Sequence, residues 1–86
     1  MKIVRVNAIW CSACIVMKKG WKKIEEEYPD IKYIDFDYDM DDGEVVQLDV
    51  GTLLPVAIFY KDDKEVARLN GEKTEEDILN VIRGNL

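Results

Sequence analysis

The sequence predicts one α/β domain over residues 1–86: a four-stranded mixed sheet with helices on both faces, in the order β-α-β-α-β-β-α. Three observations predict it. Short apolar runs bounded by turn residues recur at 2–8, 31–37, 55–60 and 65–69. The stretch 12–28 and the segment after Thr74 place apolar residues three and four apart, the spacing of a helix face. A long helix separates the first two strands, which makes them parallel with a right-handed crossover, whereas a tight turn joins the last two, which makes them antiparallel.

Each element has a local reason. Residues 2–8 are rich in β-branched side chains. In helix 12–28, Cys14, Met17, Trp21, Ile24 and Tyr28 share one face, and Pro29 helps to end it. Gly20 costs that helix some stability and leaves room for close packing or a bend. In strand 31–37, Ile31, Tyr33 and Asp35 alternate with Ile34 and Phe36. Helix 42–49 carries Val45, Val46 and Leu48, and its acid-rich start (Asp39, Asp41, Asp42, Glu44) suits a helix N-terminus. Strand 55–60 is buried on at least one face. Lys61-Asp62-Asp63-Lys64 turns the chain into edge strand 65–69. Thr74 caps the last helix with Asp77 three residues on, and Ile78, Val81 and Ile82 form its buried stripe.

Composition narrows the function. Nine Ile, nine Val and six Leu supply a core, so a folded domain rather than wholesale disorder is expected. The net charge of −6 repels phosphate backbones, so neither nucleic acid nor an anionic membrane is an expected partner. With no histidine there is no Ser-His-Asp or Cys-His catalysis, no histidine metal site and no C-x-x-C-H haem attachment. Two cysteines cannot close a four-ligand zinc site within one chain, nor staple a secreted scaffold. Residues 3–9 are apolar but broken by Arg5 and Asn7, unlike a leader or a membrane span. The expected location is therefore the reducing cytoplasm, where a close cysteine pair is more often redox-active or metal-binding than structural.

That pair stands in Trp10-Cys11-Ser12-Ala13-Cys14, where the first strand hands over to the first helix. Free N–H groups and the macrodipole at the helix start stabilise an anion at Cys11, which marks it as the nucleophile. Cys14 lies nearly one helical turn on, within disulfide reach. On the apolar stripe it is expected to be more buried and less reactive, as suits a resolving thiol. Leu54-Pro55 precedes the buried strand, at a position where proline need not donate to the ladder. The acid run from Asp35 to Asp49 contains Asp37, Asp39 and Asp41 in alternation. It does not fit a calcium loop, because the twelfth position from Asp37 is Leu48. Lys18, Lys19, Lys22 and Lys23 against Glu25, Glu26 and Glu27 read as a charged helix face with i,i+4 pairs.

On the Trp-Cys-Ser-Ala-Cys run, the Leu54-Pro55 step, the hairpin after it and Asn70-Gly71 before the last helix, the chain resembles the thioredoxin family over nearly its whole length. It looks like the short, glutaredoxin-sized members. The resemblance implies a thioredoxin-like fold and a thiol–disulfide oxidoreductase whose redox centre is the Cys11–Cys14 pair, with no bound cofactor. It implies a cis Pro55 beside the sulfurs, Leu54 backbone pairing with an extended substrate, Trp10 shielding one side, and Gly71 shaping the other. Implied partners are disulfide-containing proteins and a thioredoxin-reductase-like electron donor, with the chain acting as a monomer. The acidic surface suits substrates with basic patches around their disulfides.

Departures from the family pattern limit what carries over. Ser12-Ala13 replaces Gly-Pro, so the potential is not inherited; relatives span about −270 to −120 mV. Val56 follows the proline where many relatives have Thr, and Glu72-Lys73-Thr74 replaces the glutathione-binding turn. Arg5 stands where thioredoxins bury an aspartate, and Asp35 aligns with the family's lysine. Two arrangements are open: an inverted pair, with Asp35 moving the proton of Cys14 and Arg5 favouring thiolate, or an Arg5 that snorkels to the surface and leaves Asp35 solvated. The rival functions are a soft-metal (Cu(I)) chaperone or an Fe–S-bridged dimer using the same C-x-x-C, and a scaffold that only binds partners. Metal carriers of this size run β-α-β-β-α-β.

Overall fold

The computed structural model describes residues 1–86. Strands β1 (Lys2–Asn7), β2 (Lys32–Asp37), β3 (Val56–Lys61) and β4 (Lys64–Asn70) alternate with helices α1 (Ser12–Glu27), α2 (Asp42–Leu48) and α3 (Glu75–Gly84) in the expected order. The sheet runs β2-β1-β3-β4. β1 and β2 are parallel across the α1 crossover, and both other pairings are antiparallel. No helix is long and apolar enough to cross a membrane.

Boundaries move by a residue or two, each for a visible reason. α1 stops at Glu27 because Tyr28 leaves helical geometry, although its N–H still reaches the Ile24 carbonyl. Pro55 is outside the ladder, so β3 begins at Val56. β3 and β4 extend to Lys61 and Lys64 because Asp62 and Asp63 alone make the turn, with φ of 54° and 64°. Two left-handed residues in succession match the twist of a hairpin. A register shift after Phe59 leaves Val66 without a partner, a bulge that bends β4. At α2, Asp41 occupies the N-cap but makes no side-chain cap. Its carboxylate turns back to accept the Asp37 N–H instead. The other end of α2 is held by Arg68 of β4, which donates to the Leu48 and Asp49 carbonyls. The Thr74–Asp77 capping box forms as expected.

Strand alternation sends side chains to two faces. Ile3, Ala57 and Phe59 pack under α1 and α3 against Met17, Trp21, Ile24, Ile78 and Ile82. Val4, Val6, Val56 and Ile58 pack on the α2 side with Val45 and Val50, and the two cysteines and Leu54 belong to this second cluster. The dithiol is thus anchored in the core at one end of the sheet. Arg5 is the one charged residue in these buried layers, on the α1 face of β1.

Gly20 faces α3, but a Cβ built there would lie 3.7 Å from the Glu75 Cβ, an ordinary contact. The helix therefore does not need glycine for packing. Gly20→Ala is expected to raise stability by about 0.5–1 kcal/mol and Tm by roughly 4 °C. A lower Tm on thermal unfolding would refute this reading of the helix contact.

Candidate active site

Cys11 is the N-cap of α1, with extended backbone at φ −90° and ψ 106°. Its Sγ accepts the Cys14 N–H at 3.2 Å, one of the amides a helix start leaves free. That hydrogen bond and the helix dipole both favour negative charge on this sulfur. The two cysteines are joined as a disulfide with Cα atoms 5.3 Å apart. The expected difference in burial is absent: both residues are 6% exposed. Both belong to the second core cluster, so packing treats them alike. What separates them is position on the helix, because only Cys11 meets the free amides.

Leu54-Pro55 is cis. The Leu54 side chain is buried, while its N–H and C=O lie outside β3 and have no partner in the chain. The Pro55 carbonyl accepts the Gly71 N–H at 2.8 Å, which ties this segment to the end of β4. Gly71 has φ +81°, and a Cβ there would come within 3.2 Å of the Leu53 side chain. The positive φ is what calls for glycine here, and a Cβ would in addition have to push the exposed Leu53 side chain aside by a few tenths of an ångström.

Trp10 is 59% exposed yet fixed. Its indole N–H donates to Asp39 at 2.7 Å, and Tyr38 meets the ring edge-on at 5.9 Å. Sequence reasoning assigned Asp39 to the start of α2 and did not single out Tyr38. The alternating acids instead build a turn: Asp37 accepts the Asp39 and Met40 amides, Asp41 accepts the Asp37 amide, and Asp39 is left to hold the indole.

Arg5 and Asp35 are register partners on the parallel pair β1–β2, and Arg5 does not reach out to solvent. Its Nε donates to Asp35 at 2.6 Å and one Nη at 2.8 Å, a bidentate pair. The other Nη donates to Glu25 of α1 at 3.1 Å. The guanidinium also lies 4.9 Å from the Trp21 ring and 5.0 Å from the Tyr33 ring. Burial alone would lower the Arg5 pKa, but the hydrogen bonds and charges of Asp35 and Glu25 outweigh it and hold it above the ordinary arginine value. Burial, then the Glu25 charge, pushes the Tyr33 phenol up, against the opposing Arg5 charge. Glu25 was missed because its sequence neighbours mark it as one acid of a solvated helix face.

A C-x-x-C disulfide at a helix start, beside a cis-proline segment on an α/β sheet, defines a thiol–disulfide oxidoreductase of the thioredoxin-like class. The family model described as Thioredoxin matches residues 1–84, and the chain belongs to the thioredoxin family. It is 33% identical over 79 residues to a thioredoxin of Ophiophagus hannah, covering 88% of this chain and 74% of that one. The Fasciola hepatica thioredoxin structure is similar at a TM-score of 0.89 and 26% identity, covering 99% of this chain and 80% of that chain. A thioredoxin f2, solved in complex with ferredoxin:thioredoxin reductase, shares the fold at a TM-score of 0.82 and 24% identity, covering 96% of this chain and 74% of that chain.

Proposed function

We propose that the chain reduces disulfides in other proteins, with Cys11 attacking and Cys14 resolving. The observation that carries the assignment of roles is the N-cap position of Cys11, whose sulfur accepts a free helix amide. The Cys11 thiolate attacks one substrate sulfur. The substrate S–S bond breaks, its leaving sulfur takes a proton, and a mixed disulfide forms. Cys14 then loses its proton and attacks Cys11 Sγ, releasing the second substrate sulfur as a thiolate that is protonated in turn. Two electrons have passed to the substrate, and the Cys11–Cys14 disulfide remains.

The other site residues take supporting roles in this reading. The unpaired Leu54 backbone groups receive an extended substrate segment beside Pro55 and Gly71. Trp10, held by Asp39, shields one flank. Asp35 lines the same cleft as Cys14 and accepts its proton during resolution, while Arg5 positions Asp35. An external dithiol reductase restores the reduced pair; the thioredoxin f2 complex supports a partner of that class. The chain acts as a monomer in a reducing, cytoplasmic compartment. A metal carrier is disfavoured by element order, since α2 follows β2 where carriers place a strand.

The test is a redox titration of purified protein against dithiol buffers, read by thiol count and Trp fluorescence. The expected result is one reversible two-electron transition. A potential of about −270 mV fits a reductase, and one of about −120 mV would reverse the proposed direction of flow. Failure to form the intramolecular disulfide, or thiols masked by metal on purification, would overturn the assignment.

A further inference from the structure

A cleft of about 580 Å³ opens on the α1 face of the sheet, and Cys14 lines it, so it begins at the redox centre. Ile9 and Ile15 also line it and are 86% and 59% exposed, which makes them an apolar rim rather than core. Strand β2, which lies at the sheet edge, and the turn after it contribute Asp35, Asp37 and Asp41. Glu25 completes four carboxylates against two cations, Arg5 and Lys18. Arg5 is already committed to Asp35 and Glu25. Asp37 and Asp41 accept only backbone amides and pair with no cation.

We propose that this cleft receives a basic side chain of the substrate protein, a lysine or arginine near in sequence to the cysteine that Cys11 attacks. The inference rests on the protein-disulfide reading above and adds a determinant of substrate choice. The aliphatic stem of such a residue fits the Ile9–Ile15 rim, and its charged end meets Asp37 and Asp41. An acidic side chain would face an excess of carboxylates, four against two cations. A wholly apolar one would strip water from them without replacing their hydrogen bonds.

The experiment compares two short disulfide-bonded peptides that differ only in a Lys or a Glu beside the attacked cysteine, with dithiothreitol restoring the reduced protein after each turnover and the rate without protein subtracted. Reduction of hydroxyethyl disulfide serves as the reference reaction. At low ionic strength the Lys peptide is expected to show about ten-fold higher kcat/KM, with the ratio falling toward unity in about 0.5 M salt. Asp37→Asn/Asp41→Asn removes two charges while keeping the oxygens that accept the turn amides, and is expected to abolish most of the ratio. Asp62→Asn/Asp63→Asn, at the far end of β3, changes net charge equally and is expected to preserve it. Equal kcat/KM for the two peptides in the wild type overturns the cleft assignment. An equal loss of the ratio in both double variants also overturns it, because net charge would then be the cause. Wild-type protein inert toward both peptides and hydroxyethyl disulfide would instead overturn the oxidoreductase reading itself.

Discussion

Cys11→Ser is expected to lower disulfide reduction by about a thousand-fold or more, equivalent to about 4 kcal/mol of barrier. A serine hydroxyl at the α1 N-cap still accepts the Cys14 amide, so the helix persists while the thiolate is lost. Cys14→Ser is expected to behave differently. Attack by Cys11 still occurs, but the mixed disulfide has no resolving thiol and accumulates. Mass spectrometry under non-reducing conditions should find about one substrate fragment per protein on Cys11. Trapping in Cys11→Ser and not in Cys14→Ser would reverse the two roles. The prediction turns on helix position alone, since the two cysteines are equally buried.

Arg5→Leu is expected to cost about 2 kcal/mol, or roughly a 10 °C fall in Tm. Arg5 is 8% exposed, and the substitution removes a bidentate pair together with its stacking between Trp21 and Tyr33. The cost is held below that of a fully buried pair because the Asp35 and Glu25 side chains are 55% and 43% exposed and rehydrate. A double-mutant cycle gives the sharper readout: Asp35→Asn should cost less in the Arg5→Leu background than in the wild type. Additive effects would mean the pair is not coupled. The same Asp35→Asn variant tests proton transfer. It is expected to slow resolution of the mixed disulfide and to change the pH profile of that step, and an unchanged profile would exclude Asp35 as the acceptor.

Much of this protein was determined locally and could be read from its residues. The helix α1 follows from the spacing of Cys14, Met17, Trp21 and Ile24, and α3 from Thr74 and Asp77, because period and capping depend on neighbours within one turn. The C-x-x-C at the strand-to-helix junction is equally local, and it carries the chemistry. The inversion of Arg5 and Asp35 was legible only through the resemblance to the thioredoxin family, which places both positions below the cysteines; the register that pairs them is seen in the fold.

Long-range placement was decided only by the tertiary structure. Glu25 joins Arg5 because the packing of α1 over β1 and β2 brings together residues twenty apart in sequence. Asp39 holds Trp10 across a separation of twenty-nine, and the acids around it build a turn rather than cap α2. Charged residues on exposed segments have many local solutions of similar energy, so their partners are chosen by what the folded sheet brings near. The equal burial of the cysteines has the same origin. A helical stripe states which way a side chain points, but the depth of cover over it belongs to the loops and strands that close around the site.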